Sequence, residues 1–178
     1  MRSLGLVAAF GLLILSGCGG NHEPAKNAPT SLTVTSSAFQ ADQPIPGKFT
    51  CKGNNVSPPL AWQGLPANTK STALVVDDPD ARHGPYTHWV VLDIPTSTTS
   101  VAEGSVPAGG RQAQNSAGNA SYTGPCPPSG THHYRFTIYA LSEPTGLAEG
   151  TKLNDALNAI DKVTVARGRL TATYTHQK

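Results

Sequence analysis

The chain has 178 residues, with 13 lysines and arginines against 11 aspartates and glutamates. That length suits one domain around a single core. A formal net charge of only +2 supplies no broad basic field for nucleic acid or anionic lipid, so any anion site has to be local.

Taken in chain order, Met1-Arg2-Ser3 followed by the apolar run Leu4 to Leu15 reads as the n- and h-regions of a secretory leader, too short to span ~30 Å of hydrocarbon as a helix. The run stops at Leu15-Ser16-Gly17-Cys18, which resembles a bacterial lipobox. That likeness implies cleavage between Gly17 and Cys18 and diacylglycerol on the Cys18 sulfur, with enough acyl chains for stable anchoring. The expected location is the cell envelope, lipid-anchored to a bacterial membrane on its extracytoplasmic side. Cleavage after residue 17 leaves 161 residues and, with Arg2 gone, a formal charge of +1. Residues 18–30, polar and containing Gly and Pro, read as the lipidated cysteine and a flexible tether, and residues 31–178 as the domain. Cys51 and Cys126 then remain as an even pair in an exported protein, which predicts a disulfide.

From residue 31 the chain shows short β-rich runs broken by Pro and Gly: 32–35, 71–76, 88–94, 134–141 and 169–174. Such spacing predicts a mainly antiparallel sheet protein. Pro58-Pro59, Pro107 and Pro125 to Pro128 belong in loops or at edges, because proline cannot donate to a ladder. One segment reads as helix, from Asn154 or Lys152 to Lys162: Leu153, Leu157 and Ile160 recur at helical spacing, with Thr151 as a candidate N-cap.

Polar residues of site-forming type gather in two stretches. One is Asp77-Asp78-Pro79-Asp80-Ala81-Arg82-His83-Gly84-Pro85-Tyr86-Thr87-His88-Trp89, between two apolar runs; the other is Tyr122-Thr123-Gly124-Pro125-Cys126-Pro127-Pro128-Ser129-Gly130-Thr131-His132-His133-Tyr134. Loops at strand ends are where a scaffold presents binding groups. Asp78-Pro79-Asp80-Ala81 with His88-Trp89-Val90-Val91, and Gly124-Pro125-Cys126-Pro127-Pro128-Ser129-Gly130-Thr131-His132 with Tyr134, resemble the two signature regions of the phosphatidylethanolamine-binding protein (Raf kinase inhibitor-like) family. Cys51 to Trp62 resembles the opening of its bacterial branch. The resemblance covers about residues 31 to 176. It implies a Greek-key β fold with a large central antiparallel sheet, a smaller sheet and one or two short helices. It also implies a small anion pocket lined by Asp78, Asp80, His88, Trp89, Tyr122, Gly124, Pro125 and His132. A regulated protein partner and a homodimer are further implications. Two departures stand out: Arg82 follows the Asp-Pro-Asp-Ala run where the family has proline, and His133 replaces an arginine, removing a cation expected near the site.

The same residues make chemical sense unaided. A carboxylate beside an imidazole favours the protonated ring, so Asp78 or Asp80 next to His88 or His132 predicts a cationic donor for phosphate. Gly124 lets backbone approach a ligand closely and form an anion-binding nest. The plainer reading of Asp78-Pro79-Asp80 is a side-chain turn, and Trp62 and Trp89 read as core by size. His132 and His133 should point to opposite faces of a strand. The expected function is non-enzymatic binding of a small anion, phosphate or a phosphorylated headgroup. The alternative is a hydrolase of a small phosphorylated or ester substrate using the Asp/His pocket. No Gly-x-Ser-x-Gly elbow supports the latter. No His-Glu-x-x-His or Cys-x-x-Cys spacing supports a metal at Asp78, Asp80, His88 and His132, and no cofactor or nucleic-acid partner is expected. A purely structural envelope lipoprotein would leave the polar cluster unexplained.

Overall fold

The computed structural model describes residues 22–176; the leader, the lipobox and Cys18 lie outside them. Eight strands and one α-helix form three layers. The strands are β1 (Thr33–Thr35), β2 (Leu60–Gln63), β3 (Ser71–Asp78), β4 (Tyr86–Pro95), β5 (Ser100–Val101), β6 (Arg111–Ala113), β7 (Thr131–Leu141) and β8 (Thr164–Thr175), with α1 (Leu153–Val163) before the last. A five-stranded sheet has the order β6-β4-β3-β7-β8 and a three-stranded sheet the order β1-β2-β5, and their strands pair antiparallel. This is the expected mainly β architecture of a large and a small sheet.

Alternation along the strands divides the core. Leu74, Val76, Trp89, Phe136, Ile138 and Leu170 pack towards the small sheet, against Val34, Leu60 and Trp62. Ala73, Val75, Val90, Leu92 and Tyr139 point the other way, under Leu153, Ala156, Leu157 and Ile160 of α1. Covered on both sides, β3 is buried along its whole length, which is why its sequence is nearly continuous in Val, Leu and Ala. The N-cap lies one residue later than the candidate Thr151. Lys152 takes the N-cap position without a side-chain cap, because the Thr151 hydroxyl donates to the Ala148 carbonyl at 2.7 Å instead. Strands β2, β5 and β6 are too short to carry a legible period.

Residues 22–30, expected as part of the tether, are fastened to the domain. The Thr30 backbone bridges Arg167 in parallel, and the Ser31 and Leu32 amides donate to the Arg167 carbonyl. Glu23 accepts from Arg135 at 2.7 Å and from Arg167 and Arg169. The partners of these polar residues lie more than 110 positions away in the chain, which is why local composition does not reveal them. Residues 42–45 seal the rest of the β8 edge through Asp42, Ile45 and Thr173 backbone bonds, leaving little of it to template another strand.

Candidate functional site

Asp78 ends β3, His88 lies near the start of β4, and His132 and Tyr134 begin β7. These strands are neighbours in the large sheet, so its end gathers two separated sequence stretches. Between Val76 paired with Trp89 and Asp77 paired with Thr87, the register slips by one residue. His88 is that extra residue, and such a bulge re-aims its side chain. The resulting cavity has a volume of about 390 Å³ and is lined by Asp78, Tyr86, His88, Thr123, Gly124, Cys126, Pro127, Pro128, His132 and Tyr134, with Ala81, Arg82 and His83 along the β3–β4 loop.

At its floor, the His132 Nδ1 meets Asp78 Oδ2 at 2.7 Å. Asp78 Oδ1 accepts the Asp80 amide at 2.8 Å, closing the side-chain turn that shapes the loop. His88 Nδ1 is 2.7 Å from the Thr123 carbonyl. A carbonyl only accepts, so Nδ1 bears the proton and Nε2 is the remaining polar atom of the ring. Burial, the largest influence, holds the His88 pKa below the ordinary imidazole range against the raising effects of Thr123 and Asp78. His88 is therefore neutral at neutral pH, contrary to the expectation of a second cationic ring. The reason is geometric: its polar neighbour is a carbonyl, and the ring sits between Tyr86 at 4.9 Å and Tyr134 at 5.3 Å. The buried Tyr134 hydroxyl interacts with the Asp78 carboxylate: burial, followed by the charge of Asp78 and a hydrogen bond to it, raises the phenol above the ordinary range.

The wall opposite the histidines comes from two loops. The Cys51–Cys126 disulfide is present, with Cα atoms 5.5 Å apart. Beside it the Cys51 amide donates to the Pro125 carbonyl, the Tyr122 hydroxyl to the Phe49 carbonyl at 2.9 Å, and the Gly124 amide to Asn55 Oδ1 at 2.7 Å. The expected Gly124 nest is thus already filled by a protein group. A Cβ at Gly124 would meet the Phe49 carbonyl oxygen at 2.4 Å and Thr50 Cα at 2.9 Å; the glycine is required by this crossing of chains.

Four of the eight expected ligand residues line the cavity, namely Asp78, His88, Gly124 and His132, and four do not. Asp80 turns to the other face and binds the ring and amide of His133, with the two side chains 41% and 54% exposed. Trp89 is buried, donating to Gln112 and packing edge-on to Tyr122, while Tyr122 and Pro125 brace the wall from behind. The His133 side chain also lies away from the cavity, so the missing family arginine removes no cation from its lining. With Asp80 drawn off, no three His, Cys, Asp or Glu side chains among the described residues are grouped to hold a metal. A residue that sequence reading passed over is Asn115. Its side-chain amide donates to Ser121, Thr123 and, at 3.4 Å, His88, and its carbonyl accepts from the Ala117 and Asn119 amides. It fixes the loop whose Thr123 carbonyl orients His88; a lone Asn in a polar loop gives no signal of this.

A family model described as phosphatidylethanolamine-binding protein matches residues 35–175. The chain belongs to that family. A relative is the "Putative lipoprotein LppC" of Mycobacterium tuberculosis, 41% identical over 191 positions, covering 96% of this chain and 92% of that protein. A UPF0098 protein of Methanothermobacter thermautotrophicus is 40% identical over 148 positions, covering 80% of this chain and 98% of its own length. Among solved structures, the phosphatidylethanolamine-binding protein homologue CT736 of Chlamydia trachomatis superimposes with a TM-score of 0.77 at 35% identity, covering 83% of this chain and 99% of its own. The E. coli family member YbcL gives 0.78 at 29% identity, covering 83% and 100%. No helix among the described residues is long and apolar enough to cross a membrane.

Proposed function

We propose that this family member is a membrane-anchored, non-enzymatic binding protein for a small anion, phosphate or a phosphorylated headgroup. The observation that carries the reading is the His132–Asp78 pair lining one largely apolar cavity together with Tyr134 and His88. When His132 is protonated, Asp78 compensates its charge and the outer Nε2–H donates to the anion. Tyr134 supplies a neutral donor by turning its hydroxyl from Asp78 to the anion, and neutral His88 supplies an acceptor at Nε2. One acceptor among donors suits a singly protonated phosphate monoester, whose P–OH needs a place to donate. Little of this requires rearrangement, since the disulfide and prolines pre-form the wall, limiting the entropy lost on binding.

Anchoring through Cys18 is supported by the lipobox-like leader and by the name of the mycobacterial relative. The hydrolase reading rests on the His132–Asp78 pair alone. The cavity lining contains no serine, its cysteine is disulfide-bonded, and its buried phenol is a weak nucleophile. Calorimetric titration with O-phosphoethanolamine and inorganic phosphate tests the binding function. His132→Ala should weaken binding by about 1.5–3 kcal/mol, the range for a hydrogen bond to a charged group. Unchanged affinity in His132→Ala would remove the anion from this cavity. Turnover of p-nitrophenyl phosphate that is lost in the same variant would establish the hydrolase instead.

A further inference from the structure

On the large sheet, Asp78, His132 and Tyr134 face the cavity side, whereas Asp77, Arg135, Arg167 and Arg169 project from the opposite face by strand alternation. There the Glu23 carboxylate, 17% exposed, is held by Arg135, Arg167 and Arg169. Asp77 braces Arg135 from within the sheet, its Oδ1 lying 3.0 Å from Nε. The segment is pinned again where the Ala25 amide donates to Asp161 of α1 at 2.6 Å and the Lys26 carbonyl accepts from Arg167 at 2.6 Å. This clamp belongs neither to the core nor to the cavity.

Its position in the sequence gives it a consequence. Glu23 lies only five positions after Cys18, and at the maximal extension of a chain that stretch reaches about 17 Å, whatever conformation it adopts. A domain of this size has a radius of gyration of about 15 Å, hence a diameter of about 40 Å. A leash shorter than half the diameter cannot pass around the domain. We propose that the clamp fixes the orientation of the protein on its membrane, with the Glu23 face towards the bilayer and the anion cavity on the side turned away. The ligand is then drawn from the aqueous compartment, not from the headgroups of the anchoring leaflet. Without the Glu23 bonds the next fixed points are Ala25 and Lys26, seven and eight positions from Cys18, a reach of about 24–27 Å. That exceeds half the diameter, so Glu23 tightens the mount, and only release of all three would leave a leash of about 40 Å back to Thr30. The inference rests on the anchoring reading above.

The test uses the full acylated protein reconstituted into vesicles carrying a headgroup-attached energy acceptor. A donor dye is placed on either of two exposed positions, Asn27→Cys beside the clamp or Ser129→Cys by the cavity. The Asn27 dye should lie nearer the bilayer by about 10 Å, the depth of one packed layer, and so transfer more efficiently. In Glu23→Ala the gap between the two efficiencies should narrow, because the segment is then held only from Ala25 onward. Equal efficiencies in the otherwise unaltered protein, or a nearer Ser129 dye, would overturn the proposed orientation, and neither result depends on the Glu23 variant folding. Binding of soluble O-phosphoethanolamine should be the same whether the vesicles contain phosphatidylethanolamine or only phosphatidylcholine. Competition by the bilayer lipid would also overturn it. Protein that takes up no fatty acid and stays off the vesicles refutes the anchoring reading and the orientation with it. Loss of phosphoethanolamine binding in every setting refutes the cavity reading and leaves the orientation standing.

Discussion

Replacing Gly124 with alanine separates two explanations for a glycine in a candidate binding loop. The added Cβ would sit 2.4 Å from the Phe49 carbonyl oxygen, 2.8 Å from Asn55 Oδ1 and 2.9 Å from Thr50 Cα. Two of these are backbone atoms, and their segment is tied by the disulfide and the Tyr122 bond, so it cannot swing aside cheaply. Overpacking of this kind costs about 1–3 kcal/mol, and displacing Asn55 from the Gly124 amide adds about 1 kcal/mol. The expected loss is therefore about 2–4 kcal/mol. At about 2–4 °C per kcal/mol for a domain of this size, the unfolding midpoint in differential scanning calorimetry should fall by roughly 5–15 °C. Phosphoethanolamine affinity, measured well below that midpoint, should change less than it does in His132→Ala. An unshifted midpoint combined with abolished affinity would refute the reasoning and restore Gly124 as a close-approach residue for the ligand.

Thiol alkylation of denatured, unreduced protein should label neither Cys51 nor Cys126, and Cys51→Ser with Cys126→Ser should cost about 3–4.5 kcal/mol, the chain-entropy value for a bridge spanning 75 residues. NMR titration should place the His88 imidazole below the ordinary histidine range. A histidine buried neutral favours folding above its unfolded pKa of about 6.5 and loses that contribution as pH falls below it, so His88→Gln should flatten the slope of stability between about pH 5 and 7. For Glu23, burial alone would raise the carboxyl, but the Arg169 hydrogen bond and the charges of Arg135, Arg169 and Arg167 hold it below the ordinary glutamate value of 4.5. Its contribution is complete above that value and disappears as pH drops through the lowered one. Glu23→Gln should therefore cost about 2 kcal/mol at pH 7 in denaturant titration, with the gap to the unaltered protein closing below about pH 4.

The β class, the prolines in loops, the single helix and the disulfide were legible because each is written in local pattern or in simple counting. His132 and His133 were correctly split between two faces, since a strand alternates every residue: one ring meets Asp78 and the other Asp80. What sequence could not give was anything decided by a distant partner. Asp80 and Trp89 sit in the right motifs yet face away from the cavity, and the charge state of His88 depends on whether a carbonyl or a carboxylate stands beside it. Arg135, Arg167 and Arg169 carry no local signal of their shared partner, because Glu23 lies more than 110 positions away in the chain. The importance of Asn115 likewise exists only once residues 117 to 123 have folded around it.

The last strand, β8, is where both ends of the described chain meet: it pairs along its length with β7, and its free edge takes the backbone of residues 29–32 and 42–45. A growing or threading chain therefore makes its earliest segment wait for its latest one. No N-terminal fragment ending before residue 164 can close the sheet, and long sequence separation between partners slows folding. Such an order of assembly leaves β7 and the N-terminal segment without their shared partner until the final dozen or so residues are available. Truncations within β8 should consequently yield chains that are degraded or aggregate, with no shortened but working domain among them.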